Sequence, residues 1–215
     1  MDVTQIYARR FTPDLKFRRN LWRILCTDFF QKLIPEESRV LEIAAGYCEF
    51  INHIRAGQKF AVDINPETRN HANADVNVFI SPSDNIEGLA DASVDIVFVS
   101  NFFEHITREA ILATIREVKR LLVPGGKFII LQPNIRYCAG DYWMFFDHIT
   151  AVDDRALVEA LEINGFRIIK NIPRFLPYTS QSRFPKFLWL VKLYLKLRFA
   201  WLIFGQQALI ICSKE

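Results

Sequence analysis

Paired cysteines are missing from this sequence. Cys26, Cys48, Cys138 and Cys212 stand far apart, with no C-x-x-C pair among them. His53, His71, His105 and His148 do not join them at the spacings of zinc ligands. The expectation is a chain without disulfides and without a metal, in a reducing, cytoplasmic compartment. No signal peptide is expected, because Arg9, Arg10, Lys16, Arg18, Arg19 and Arg23 interrupt any apolar run near the start. A G-x-x-x-x-G-K-[ST] loop is absent, which argues against nucleoside triphosphates. A full G-x-G-x-x-G is absent too, and Tyr47 and Cys48 crowd the approach that a dinucleotide pyrophosphate would need. Finally, residues 163–214 contain no Asp or Glu.

What is present is a globular composition, 51% hydrophobic and 24% charged over 215 residues. That length suits one domain with an appendage, burying roughly 70% of the surface its unfolded form exposes. The acid-free stretch carries Arg167, Lys170, Arg174, Arg183, Lys186, Lys192, Lys196, Arg198 and Lys214. The first 23 residues are basic as well, so the middle of the chain is acidic by difference. Basic ends on an acidic body predict a surface facing something anionic.

Apolar residues at helical spacing predict an amphipathic helix across 15–33, ended by Pro35. Short apolar runs predict seven strands, at Val40 to Ala44, Lys59 to Val62, Val76 to Ile80, Val94 to Val99, Lys127 to Leu131, Phe166 to Ile169 and Ala208 to Cys212. Between them, helices are expected at Tyr47 to Ile54, from near Pro66, from the cap Thr107 to Leu122, and from Asp153 or Asp154 to Gly165. The alternation gives an α/β class: a Rossmann-like open, mostly parallel seven-stranded sheet with helices on both faces. The division expected is a helical cap over 1–36 and a binding domain over 37–215, with a helical insertion at about 180–204.

In such a sheet, ligands bind beyond the carboxyl ends of the strands. After the first strand come the small residues Ala44, Ala45 and Gly46, which let backbone lie close to a ligand. After the second comes Asp63, whose carboxylate suits ribose hydroxyls. After the third come Ser83, Asp84 and Asn85, polar enough to meet an adenine edge.

These residues lie in motifs that resemble the class I S-adenosylmethionine-dependent methyltransferases. The motifs are Val40-Leu-Glu-Ile-Ala-Ala-Gly46, Ala61-Val-Asp63, Asp91-Ala-Ser-Val-Asp95-Ile-Val-Phe, Asn101-Phe-Phe-Glu104-His105-Ile106 and Leu121-Leu-Val-Pro-Gly-Gly-Lys127, in the family's order. The resemblance implies S-adenosylmethionine as cofactor, with Glu42 to Gly46 on its methionine half, Asp63 at the ribose and Asp84 near the adenine amine, and Ile64, Asn85 and Asn101 are further candidate cofactor-binding residues. The family's first turn reads acidic-x-Gly-x-Gly-x-Gly, whereas Ala44 and Cys48 stand here at the outer glycine positions.

The chemistry needs an acceptor held in line with the activated methyl and, for a hydroxyl, a base. His148 is the first candidate base, since its loop follows the fifth strand at the ligand edge, and His105 is the second. Asn134, Arg136, Tyr137, Tyr142 and Trp143 share that loop and suit a sugar ring or a flat acceptor. Alternatively, Trp143, Phe145 and Phe146 anchor the loop to the body. The whole chain looks similar to bacterial methyltransferases of surface-polysaccharide and glycolipid pathways, implying O-methylation of a sugar, glycolipid or related small molecule. The stretch 184–204 mixes aromatics with cations, which fits a hydrophobic cap or peripheral membrane contact. An RNA methyltransferase and a non-catalytic scaffold are the alternatives. Nucleic acid is not expected as a partner, because the cations sit among large aliphatic residues rather than along a polar stripe.

Overall fold

A computed structural model describes residues 15–178 and 187–215. Arg183, Phe184, Pro185 and Lys186, expected at the start of the apolar-basic stretch, lie outside those residues, as does the beginning of the expected 1–36 cap.

The elements in chain order are α1 (Leu15–Asp28), β1 (Arg39–Ile43), β2 (Gln58–Asp63), α2 (Thr68–His71), β3 (Val76–Ile80), β4 (Val94–Ser100), α3 (Arg108–Leu121), β5 (Leu122–Pro133), α4 (Ile135–Tyr142), α5 (Asp154–Ile163), β6 (Phe166–Leu176), α6 (Leu188–Lys196), α7 (Arg198–Phe204) and β7 (Gln207–Lys214). All seven strands fall where the apolar runs place them. They form one sheet in the order β3-β2-β1-β4-β5-β7-β6. Strands β1 to β5 pair in parallel, and β7 runs antiparallel to both its neighbours.

Period-two alternation explains the two cores. Along β4, Ile96 and Phe98 point into one apolar cluster with Trp22, Phe30, Phe50 and Trp201. Their neighbours Val97 and Val99 point into the other, with Ile115 and Val118 of α3 and Leu157 and Leu161 of α5. A strand buried on both sides has no polar face, which is why this one reads as continuously apolar. The first cluster is an aromatic knot: Phe50 stacks on Phe98 with centroids 3.6 Å apart, and Trp22 meets Phe98 edge-on at 6.1 Å. Phe98→Ala would empty its centre at a cost of about 3–5 kcal/mol.

Helix ends follow their capping residues. The Thr107 hydroxyl accepts from the Ala110 N–H at the start of α3. Asp153 accepts from the N–H groups of Arg155 and Ala156 at the start of α5, and Gly165, at φ 77°, lets the chain leave it.

Some of these expectations change. The leading helix ends at Asp28, and Phe30–Leu33 continues it as a 3-10 turn. No helix forms across 47–54; single turns take its place. Gly46 and Cys48 adopt φ of 51° and 55° at its start, and a right-handed helix cannot begin through left-handed residues. The helix near Pro66 shrinks to the four residues of α2. Strand β5 is also longer than expected. It starts at Leu122, and its register against β4 shifts between Val94 and Ile96, where Pro124 to Gly126 form the irregularity.

Candidate active site

Strand β1 sits between β2 and β4, so the loops after these three strands share one edge. Ile43 pairs with Val62 on one side and Val99 on the other. The bend after β1 therefore lies between Asp63 and Asn101, with strands roughly 4.8 Å apart.

The bend has an unusual backbone. Ala44, Gly46 and Cys48 have φ of 53°, 51° and 55°, the left-handed region at three alternate positions. Only glycine enters that region without a steric penalty, and each non-glycine residue there costs roughly 1–2 kcal/mol. The structure thus keeps the conformation of a three-glycine turn while carrying one glycine. Asn101, just past β4, has φ 49°, which asparagine tolerates best of the larger residues.

Asp63 ties the bend down. Its Oδ2 accepts from the Gly46 N–H at 2.8 Å, and its Oδ1 from the Asn65 N–H at 2.8 Å. Burial raises its pKa, and the N–H groups of Asn65, Gly46 and Ile64 work against that rise. Glu42 lies beneath the bend, buried, accepting from the Ile51 N–H at 3.0 Å. Burial holds its carboxyl well above the ordinary range. Ala45 and Gly46 are buried, Ala44 is half-buried, and Ile64 is exposed beside Asp63 as an apolar wall. Asp84 and Asn85 are exposed after β3; Asn85 lines an open cleft of about 400 Å³ with Arg69, Ile80 and Pro82. Asn101 is half-buried, its N–H bonded to the Leu131 carbonyl. A hydrogen-bonded carboxylate, a tight bend and a flat aliphatic wall on one edge fit an adenosine with a short polar tail.

The opposite side of that edge carries the histidines. Glu104 and His105 end a short 3-10 turn after β4, and His148 arrives on the loop after α4. Backbone bonds join the two segments: the N–H groups of Ile149 and Thr150 donate to the Glu104 carbonyl at 2.9 and 3.2 Å. The His105 and His148 rings meet edge-on, centroids 4.8 Å apart. His105 Nε2 lies 3.7 Å and His148 Nε2 4.0 Å from Glu104 Oε1. The other Glu104 oxygen accepts from Gln132 Nε2 at 2.8 Å. Glu104 is fully buried, and that burial raises its pKa against the influence of His105 and Gln132. Burial works against the His105 imidazolium, but Asp147 and Glu104 outweigh it and raise the pKa. The Asp147 carboxylate lies 3.2 Å from His105 Nδ1. The Tyr178 hydroxyl lies 3.4 Å from His148 Nε2.

The expected acceptor residues divide. Tyr142 is fully buried, its hydroxyl donating to the Thr150 carbonyl and accepting from the Val152 N–H. Asn134 is buried and caps α4, with its amide on Asp154 and on the Pro173 carbonyl. Arg136 pairs with Asp154 at 2.7 Å and lies over the Tyr137 ring, as does Arg174. Trp143 is exposed, lining a shallow cleft of about 490 Å³ with Thr107, Arg108 and Ile149. Phe146 is almost fully exposed, so it does not anchor the loop. Sequence reasoning quoted Glu104 only as part of a motif and passed over Gln132 and Tyr178. The signal available was the carboxylate-histidine pairing at both 104–105 and 147–148.

The cysteines are not alternatives as nucleophiles. All four are buried, and burial raises each thiol pKa, Cys138 to about 12.

Residues 41–130 match the family described as a methyltransferase domain. Among solved structures, the chain is similar to a SAM-dependent methyltransferase from Archaeoglobus fulgidus, with TM-score 0.69 and 22% identity, covering 94% of this chain and 97% of that one. It is similar to an S-adenosylmethionine-dependent methyltransferase from Mesorhizobium loti, with TM-score 0.62 and 15% identity, covering 85% and 94%. It is also similar to the [4+2]-cyclase SpnF, with TM-score 0.62 and 15% identity, covering 91% and 81%. No curated protein matches the chain. The chain thus has the fold of S-adenosylmethionine-dependent methyltransferases, and residues 41–130 match the methyltransferase-domain model.

Proposed function

We propose that this protein is a methyltransferase that uses S-adenosylmethionine as its methyl donor and O-methylates a hydroxyl of a sugar, a glycolipid or a related small molecule. The observation that carries the reading is the shared edge. The Gly46–Asp63 hydrogen bond defines a nucleoside side, and the Glu104, His105 and His148 group stands on the neighbouring strand end. Glu42, Ala44, Ala45 and Gly46 hold the methionine half, Asp63 the ribose, and Asp84 and Asn85 the adenine, with Ile64 and Asn101 as further cofactor contacts.

In the reaction, the acceptor oxygen attacks the sulfonium methyl carbon. The C–O bond forms as the C–S bond breaks, sulfur keeps the electron pair, and the hydroxyl proton passes to the His105–His148 pair. Positioning contributes roughly 7–11 kcal/mol of barrier lowering and the base on the order of 10²–10⁴-fold in rate. Exposed Trp143 offers a flat face to a sugar ring, and half-buried Tyr137 lies under Arg136 and Arg174.

Helices α6 and α7 support a lipid-linked acceptor. Leu195, Ala200 and Trp201 are buried as a cap, while Phe187, Trp189, Phe199, Leu202 and Ile203 are exposed. Lys192, Lys196 and Arg198 accompany them without any acid. Apolar surface edged only by cations complements an anionic lipid surface. No helix among the described residues is long and apolar enough to cross a membrane.

The test uses methyl-labelled S-adenosylmethionine with sugar and glycolipid acceptors. Label in an alkali-stable ether supports the reading, and His148→Ala lowers that turnover on the order of 10²–10⁴-fold with cofactor binding retained. Label entering RNA instead would replace it. Pelleting with anionic liposomes at low salt tests the membrane part.

A further inference from the structure

Three side chains at this edge have the composition of a metal centre. Glu104, His105 and His148 each offer one ligand atom, and those atoms lie within 4.8 Å of one another. Two imidazoles and one carboxylate are the donor set of a catalytic zinc site and of open non-haem iron sites. Hard oxygen-seeking cations such as magnesium prefer another set.

The surroundings match what ligands need. Asp147 accepts from His105 Nδ1 twice, through its carboxylate and its backbone carbonyl, both at 3.2 Å. A histidine donating from Nδ1 carries its lone pair on Nε2, and here Nε2 faces Glu104. That is the carboxylate-histidine pairing that orients metal-bound imidazoles. Gln132 does the same for Glu104, occupying one oxygen and leaving the other toward the histidines. Glu104 and His148 are buried, while the His105 side chain keeps 25% of its surface, so the group is enclosed yet open on one side. Metal bonds of about 2.0–2.2 Å need ligand atoms closer than those seen here. Small side-chain rotations supply the difference.

We infer that Glu104, His105 and His148 bind one divalent transition-metal ion, of the zinc or manganese class, with a coordination position left for the acceptor oxygen. Binding itself is independent of the methyl-transfer reading; only the use of the open position rests on it. An ion there makes a bound hydroxyl more acidic, and its proton leaves to solvent. With the ion bound, the imidazoles are ligands and this role replaces the base role given to the pair above, which is why the test is binding rather than turnover.

The full chain, stripped with chelator and desalted, is titrated with Zn²⁺ by calorimetry and with Mn²⁺ by loss of the free-ion paramagnetic resonance signal. The expected result is one ion per chain. His105→Ala and His148→Ala each weaken binding at least tenfold, and Asp147→Asn weakens it about 10–100-fold although it removes no ligand. His105 is partly exposed, so its variant folds even if the buried His148 variant does not; a circular dichroism melt checks both. S-adenosylmethionine affinity, measured alongside, stays unchanged. The inference is overturned by no binding of either ion at millimolar concentration, by binding that survives His105→Ala, or by binding of Mg²⁺ alone. An ion bound by a chain that methylates no hydroxyl sinks the functional reading and leaves this one standing. Ether formation by a chain that binds no ion does the reverse.

Discussion

The Gly46 N–H donates to the Asp63 carboxylate at 2.8 Å, so the bend after β1 and the end of β2 are one structural unit. A change in either residue alters the nucleoside side as a whole, and the first prediction rests on that coupling. Asp63→Ala removes the clamp on the bend and, on the proposed reading, the partner of the ribose. S-adenosylmethionine affinity should fall at least tenfold, about 1.4 kcal/mol or more, by calorimetry. Unchanged affinity would move the cofactor elsewhere.

Left-handed backbone at Ala44 and Cys48 gives two predictions of opposite sign. Ala44 is half-buried and loses one methyl group on going to glycine. Ala44→Gly relieves strain and should stabilise the fold by about 0.5–1 kcal/mol after the entropy cost of the extra freedom, raising Tm by about 2–4 °C. Cys48 is fully buried, and glycine there leaves a cavity that offsets the relief. Cys48→Gly should therefore leave Tm unchanged or lower, and a clear rise would show that packing at the thiol counts for little.

Tyr142 separates structure from binding. Tyr142→Phe leaves the buried Val152 N–H without its acceptor, a cost of about 1–3 kcal/mol. Stability in denaturant should fall while the KM for the acceptor holds. A raised KM with unchanged stability would place the hydroxyl on the substrate.

Acid stability depends on Asp154. Burial alone would raise its pKa, but hydrogen bonds from Asn134, Arg136 and Asn171 lower it below the ordinary value. A carboxyl depressed in the fold contributes stability above its unfolded pKa of about 3.9, lost as pH falls through the folded value. Asp154→Ala should lower Tm at neutral pH and flatten its fall below about pH 4. An unaltered acid limb would assign that transition to other groups.

Glu42 has the opposite sign. Its folded pKa is raised, first by burial, so its stability contribution is complete below the unfolded value of about 4.3 and declines as pH rises through the folded one. Glu42→Gln keeps an acceptor for the Ile51 N–H without a buried charge. Tm should rise relative to the parent at pH 8, with the gain gone near pH 4.

The strands and the capped helices were legible from residues alone because their causes are local. Val94 to Val99 reads as a doubly buried strand whatever surrounds it, and Thr107 and Asp153 cap helices through their own next turn. The order Ala44 to Gly46, then Asp63, then Asn101 foretold one shared edge, since a parallel sheet gathers its strand ends. Tertiary structure alone decided that Cys48 twists the segment after it out of a helix. It also decided that Asp147 meets His105, 42 positions away in sequence. Spacing rules find ligands carried on one helix or loop. The 104–105 turn and the 148 loop meet only because Ile149 and Thr150 hydrogen-bond to the Glu104 carbonyl, and no local pattern records a contact made by the path of the backbone.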